Sequence, residues 1–279
     1  MEAFQKRELV KPDGRSLILY AREPLPDGIV APAPPIARGR DAHLRWHPLL
    51  GEWVIYATHR QNRTFSPSAA VASPGNGTTG AVAGPSDPLA ITTDPEHPTE
   101  VPAGDWQVAV FENLFPALTA DAPAPPATIV AARPAHGVCE VVVFTQDPTT
   151  TLGALSLDRV TLIVDVWADR TSALGGRADV AYVYPFENHG AEVGVTLHHP
   201  HGQIYGFPFV PPVAARELAQ QSEHWQRTGR GLLAEHIEAE LGDGERIVYA
   251  DMSAAIASLD GPRAGPPAHG PTAPARFAA

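Results

Sequence analysis

Phe186-Glu-Asn-His-Gly-Ala-Glu-Val-Gly-Val-Thr-Leu-His-His-Pro-His-Gly-Gln-Ile-Tyr205 is the stretch on which the reading of this chain turns. Three of its histidines, His198, His199 and His201, lie close together and are followed by Gly202 and Gln203. If 199–205 is extended, its period of two places His199, His201 and Gln203 on one face and His198 on the other. Pro200 lacks an amide donor, which predicts a sheet edge or a strand start at that point. Gly202 is expected to let a ligand approach the backbone closely. Two imidazoles and an amide on one face suit phosphoryl chemistry. A neutral imidazole is nucleophilic near pH 7 and can carry a phosphoryl group on nitrogen, while an amide can donate to a non-bridging oxygen. The same cluster also reads as a metal site, or as polar residues on a strand.

Working outward, strand-like segments occur at 53–58, 106–111, 140–145, 180–186 and 246–250. Ser156 can cap a helix that runs to Leu174 and stops at Gly175-Gly176. A polar helix is expected from Pro211 to about Arg227 and another from Gly231 to Leu241. Strands with a few long helices between them predict an α+β fold with an antiparallel sheet. Pro and Gly interrupt 66–104 too often for a helix, and that segment is too polar for a buried strand. It is expected to be a long, loosely packed excursion. A shorter patch of the same kind covers 120–134, and an Ala/Pro/Gly tail expected to be disordered begins near 252.

Composition narrows the function. A net charge of −11 leaves no broad basic surface for a nucleic-acid backbone or an anionic membrane, though a few placed groups can still hold a nucleotide. The single cysteine, Cys139, excludes an intrachain disulfide and a multi-cysteine zinc site, and is expected to pack as a small apolar residue. No apolar stretch is long enough to span a membrane, and the first residues, MEAFQKRELVKPDG, lack a signal-peptide core. A soluble, cytoplasmic protein is expected.

HHPHGQ, with FENHGAEVG upstream, resembles the active-site signature of the galactose-1-phosphate uridylyltransferase family, a branch of the histidine-triad superfamily. RWHPLLGEWV from Arg45, THRQNR from Thr58 and FENLFP from Phe111 resemble three further blocks of that family. The resemblance implies a histidine-triad-like antiparallel sheet with flanking helices over 45–251, after an N-terminal extension at 1–44 and before a tail at 252–279. It implies that His201 is the nucleophile that takes the uridylyl group. It further implies that His199 supports that ring and that Gln203 holds a phosphoryl oxygen. Asn188, Gly194 and Thr196 match positions lining the nucleotide phosphates, and Arg60, Arg63 and Asn113 match nucleotide-binding positions. Taken alone, Arg60 and Arg63 also read as a solvated surface pair, and Asn113 as a turn residue.

In zinc-containing members the position of His199 ligates the metal, together with two cysteines and a second histidine. Here no cysteine lies in 66–104 and Pro148 stands at the second histidine position, so no tightly bound cofactor or structural zinc is expected. His97 is expected in solvent, as is Glu217, which matches a carboxylate of a second metal site in some members. The implied reaction is uridylyl transfer between UDP-glucose and galactose 1-phosphate in a homodimer. The competing readings are a nucleoside-phosphate hydrolase or phosphorylase of the same superfamily, and an inactive or purely binding module. Gln203 argues against hydrolysis, because the hydrolytic branch carries a third histidine there to help protonate the leaving group. After Asp251 the family pattern gives way to the tail, which reads as a truncation or a frame-shift. Resequencing beyond the Asp251 codon checks this, since a clean frame through Ala279 removes the frame-shift version.

Overall fold

The computed structural model describes residues 3–62, 87–190, 197–250 and 255–257. The chain divides into two units, 1–210 and 211–279. In the first unit the strands are β1 (Gln5–Val10), β2 (Ser16–Ala21), β3 (His43–His47), β4 (Glu52–Tyr56), β5 (Ile91–Thr92), β6 (Val101–Pro102), β7 (Val108–Glu112), β8 (Ala132–Pro134), β9 (Val138–Val143), β10 (Tyr182–Phe186) and β11 (His201–Phe207). Six of them form one sheet in the order β1-β2-β7-β9-β11-β10, antiparallel at every pairing. The architecture is α+β, as the sequence predicts.

Helix α1 (Leu157–Gly175) covers one face of this sheet. The Ser156 side chain accepts from the Arg159 amide at its start, and Gly176 caps its end. Leu162, Ile163, Val166 and Leu174 pack on Ile18, Tyr20, Val110, Val142, Phe144 and Ile204. The alternate residues of the same strands, Leu17, Leu19, Ala109, Phe111, Val141 and Val143, face the other way and pack against Leu89, Val101 and Trp106. Both faces of the central strands are therefore buried, so β2 reads as the unbroken apolar run Leu17-Ile-Leu-Tyr-Ala21 without polar alternation.

Residues 5–21 are thus part of the main sheet, which corrects the reading of 1–44 as an extension. The expected boundary at 45 falls inside β3, and the division after 210 separates the helices that follow from the sheet. Residues 87–104 are also tighter than expected. Glu100 is buried and receives both Nη groups of Arg15 at 3.1 and 2.9 Å, and the Lys11 ammonium also pairs with it. Burial, against the pull of Glu100, lowers Lys11 to about 8. The part of the expected excursion at 66–86 lies outside the described residues. Within 120–134, Ala132–Pro134 is strand β8, paired with β3.

The second unit holds α2 (Pro212–Thr228), α3 (Leu232–Asp243), β12 (Ile247–Ala250) and β13 (Ala255–Ala257). Both helices end at glycines of positive φ, Gly229 and Gly244, as expected for αL caps. Strand β13 pairs with β12, so the expected disorder does not extend to 255–257. Residues 258–279 lie outside the described set. Among the described residues no helix is long and apolar enough to cross a membrane.

The buried pair between sheet and helix gives a stability prediction. Arg170 of α1 donates to Glu140 of β9 at 3.0 and 2.7 Å, with both side chains almost wholly buried. Glu140→Ala leaves the guanidinium uncompensated and should cost about 3–5 kcal/mol in urea unfolding. A loss below about 1 kcal/mol would show the pair to be solvated in solution.

Candidate active site

The β9–β11 pairing sets His201 opposite Val143, Gln203 opposite Val141 and Tyr205 opposite Cys139. Opposite residues of antiparallel strands share a face. His201, Gln203 and Tyr205 therefore project on the side away from α1, while Gly202 and Ile204 lie on the α1 side. Two cavities meet on the projecting face. An open cavity is walled by apolar groups such as Ile36, Leu89, Phe111 and Leu197, with Arg60, Asn113, His201 and Gln203 among its polar groups. A second has mostly polar residues in its lining, among them Thr150, Glu187, Asn188, His189, His198 and His199, and again His201. His201 thus lines both cavities, the first with more apolar residues in its wall and the second with more polar ones.

The Nδ1–H of His201 donates to the backbone carbonyl of His199 at 2.7 Å. That bond selects the tautomer and leaves Nε2 as the basic, nucleophilic nitrogen. Burial, reinforced by the charge of the His199 ring, holds His201 below the ordinary imidazole range, against the opposing effect of this hydrogen bond. The ring is therefore neutral near pH 7, the form a nucleophile requires.

His199 itself lies outside β11, in the residues that lead into it, and it lines the second cavity together with His201. Its ring is buried, with Nδ1 donating to Asp87 Oδ2 at 2.6 Å and Nε2 to the Thr145 carbonyl at 2.7 Å. Burial opposes its charge, but the hydrogen bonds to Asp87 and Thr145 outweigh burial and raise its pKa. Pro200 does mark a strand start, but in the sheet interior, and its carbonyl still accepts from the Phe144 amide at 3.1 Å.

Gly202 also differs from expectation. A Cβ there would lie 2.7 Å from Phe144 Cζ and 2.9 Å from the Phe186 carbonyl oxygen, on the face turned away from both cavities. The glycine is required by core packing and not by ligand approach. Arg60 donates to the Tyr205 hydroxyl at 3.1 Å and to the Phe115 carbonyl at 3.3 Å, which brings its guanidinium to the apolar cavity. Burial pushes the Tyr205 hydroxyl up to about 12, so it stays protonated. Asn113 is both a turn residue and a cavity residue. Its Oδ1 accepts from the Phe115 amide at 2.8 Å, which leaves its N–H groups as what it can offer a ligand. Asn188 lines the polar cavity, whereas Arg63, Gly194 and Thr196 lie outside the described residues. Cys139 packs in the core as expected, and His97 and Glu217 are exposed.

Sequence reasoning missed Asp87 and Tyr205. Continuing the period of two from 201 and 203 reaches Tyr205, whereas Asp87, 112 residues from His199, gives no local signal.

The fold is shared with solved uridylyltransferases. One such structure matches with a TM-score of 0.55 at 27% identity, and a mutant form with 0.56 at 26%, each match covering 75% of this chain and 58% of the other. Residues 35–211 match the galactose-1-phosphate uridyl transferase N-terminal domain, and the chain belongs to that family. It is 35% identical over 240 residues to the galactose-1-phosphate uridylyltransferase of Streptomyces lividans and 34% identical over 211 residues to that of Thermotoga maritima. These matches cover 85% and 74% of this chain, and 58% of the length of each relative.

The zinc that the resemblance associates with His199 does not fit the residues present. Both ring nitrogens already face oxygen acceptors, so neither presents a lone pair to an ion. The sequence holds no cysteine but Cys139, and among the described residues no three His, Cys, Asp or Glu are grouped to hold a metal.

Gly202→Ala tests the packing that orients β11. The added methyl must displace Phe144 or the β10 backbone, and should lower unfolding stability by about 1–3 kcal/mol. An unchanged melting temperature would contradict this arrangement.

Proposed function

We propose that this chain carries out uridylyl transfer between UDP-glucose and galactose 1-phosphate through a uridylyl-histidine on His201. The observation that carries the reading is the His201 ring, held through Nδ1–H by the His199 carbonyl and lining both cavities at once. Nε2 attacks the α-phosphorus of UDP-glucose. The N–P bond forms, the bond from phosphorus to the bridging oxygen breaks, and glucose 1-phosphate departs with the electron pair on that oxygen. A phosphate oxygen of galactose 1-phosphate then attacks the same phosphorus, the N–P bond breaks, and UDP-galactose leaves with His201 regenerated.

In this reading the apolar cavity takes the uridine, with Arg60 and Asn113 as its polar contacts, and the polar cavity takes the sugar phosphate beside Asn188. Arginine suits the first role because its fork can pair with phosphate oxygens. Gln203, next on the His201 face, donates to a non-bridging oxygen as charge develops, and as an amide it cannot act as a general base for water. The names of the relatives support the substrate class. A homodimer belongs to the same proposal, and light scattering checks it.

Incubation with UDP-glucose followed by intact-mass measurement tests the reading. The wild-type chain should gain one uridylyl group and release glucose 1-phosphate in a burst. His201→Ala should abolish the adduct, and His198→Ala should retain it. Gln203→Ala should slow its formation by about a hundredfold or more while leaving binding measurable. An adduct on the His201 variant would assign the wrong nucleophile, and sustained turnover with water alone would favour the hydrolase.

A further inference from the structure

The bond that fixes the His201 tautomer ends on a backbone carbonyl, and a carbonyl is only as well placed as the residue that bears it. His199 bears it, and Pro200 follows. A residue before proline is restricted to extended backbone, and proline fixes its own φ, so the 199–200 link is stiff. What remains to be set is the anchoring of His199, and its ring is held at both nitrogens, by Asp87 Oδ2 and by the Thr145 carbonyl. Asp87 is itself fixed. Its Oδ1 accepts from the Leu89 amide at 2.9 Å, and the adjoining Pro88 carbonyl accepts from the Glu100 amide at 3.0 Å. Glu100 in turn is the buried partner of Lys11 and Arg15.

We propose that Asp87 is a positioning residue for the nucleophile, taking at His199 the anchoring place that a metal ion would otherwise hold. A carboxylate and a carbonyl that clamp both ends of one imidazole fix its plane and its position as coordination to an ion would. The effect passes through the His199 backbone to its carbonyl, and from there to Nδ1 of His201. Asp87 touches no reacting atom. The kinetic part of this inference rests on the uridylyl-transfer reading, whereas the structural part does not.

The test uses the full chain labelled with ¹⁵N-histidine, with the His201 signals identified by their loss in His201→Asn. Long-range ¹H–¹⁵N spectra of the wild type should show His201 in one tautomer, protonated at Nδ1. In Asp87→Ala the pattern should move to an average of the two tautomers, and Asp87→Glu should restore most of the original pattern. Asp87→Asn, with the same shape and no charge, should shift it the same way by less, and it carries the comparison if the alanine variant does not fold. The uridylyl burst should slow by about 10- to 100-fold in Asp87→Ala, with the Kd for UDP-glucose little changed and with recovery in Asp87→Glu. A His201 pattern unaffected in both Asp87→Ala and Asp87→Asn overturns the proposal. So does one zinc per wild-type chain that is lost on His199→Ala. A wild type that gains no uridylyl group defeats the transfer reading alone, and the spectra still decide the role of Asp87.

Discussion

Pairing of β11 with β9 in the register that sets His201 opposite Val143 decides which groups of the chain can act chemically. A slip of one residue would turn His201, Gln203 and Tyr205 into the packed face beneath α1 and present Gly202 and Ile204 to the cavities. Two features hold the parity. Gly202 sits where any side chain would meet Phe144 and the β10 backbone, so only glycine fits the inner face at that point. Ile204 is fully buried among the residues that α1 covers. The face that carries His201 and Gln203 is thus specified from behind, by packing on the α1 side.

A second line of contacts supports the same face from the side. The β1–β2 turn supplies Lys11 and Arg15, which are buried against Glu100 although 89 and 85 residues separate them in sequence. Glu100 anchors the 87–104 segment, and that segment delivers Asp87 to His199 and Leu89 to the wall of the apolar cavity. Buried charges of this kind are costly unless every partner is present, so the turn, the segment and the histidine form one cooperative unit. The N-terminal strands, which a motif-based reading sets aside, therefore belong to the construction of the site.

Local chemistry explains what could be read in the sequence and what could not. Helix α1 was legible because Ser156 and the Gly175-Gly176 pair mark its two ends, and His201 and Gln203 because alternation along one strand is a local property. Strand β2 lacks alternation, since both its faces are buried, and so gave no amphipathic signal. The segment 87–104 is rich in Pro and does lack long regular elements, but its order comes from Glu100 and Thr99, whose partners are distant or irregular. Pro200 keeps its carbonyl in the β9–β11 pairing, and the His199 ring before it reaches Asp87 and Thr145, partners that no local pattern announces.

The proposed chemistry rests on one imidazole nitrogen, Nε2 of His201, a residue that lines both cavities. A crystal structure of the full chain after exposure to UDP-glucose tests this most directly. It should show phosphorus bonded to His201 Nε2, the uridine ring in the cavity walled by Leu89, Phe111 and Leu197, and the Gln203 amide at a non-bridging oxygen. Phosphorus bonded to His198 or His199, or a uridine bound away from the β11 face, would contradict it.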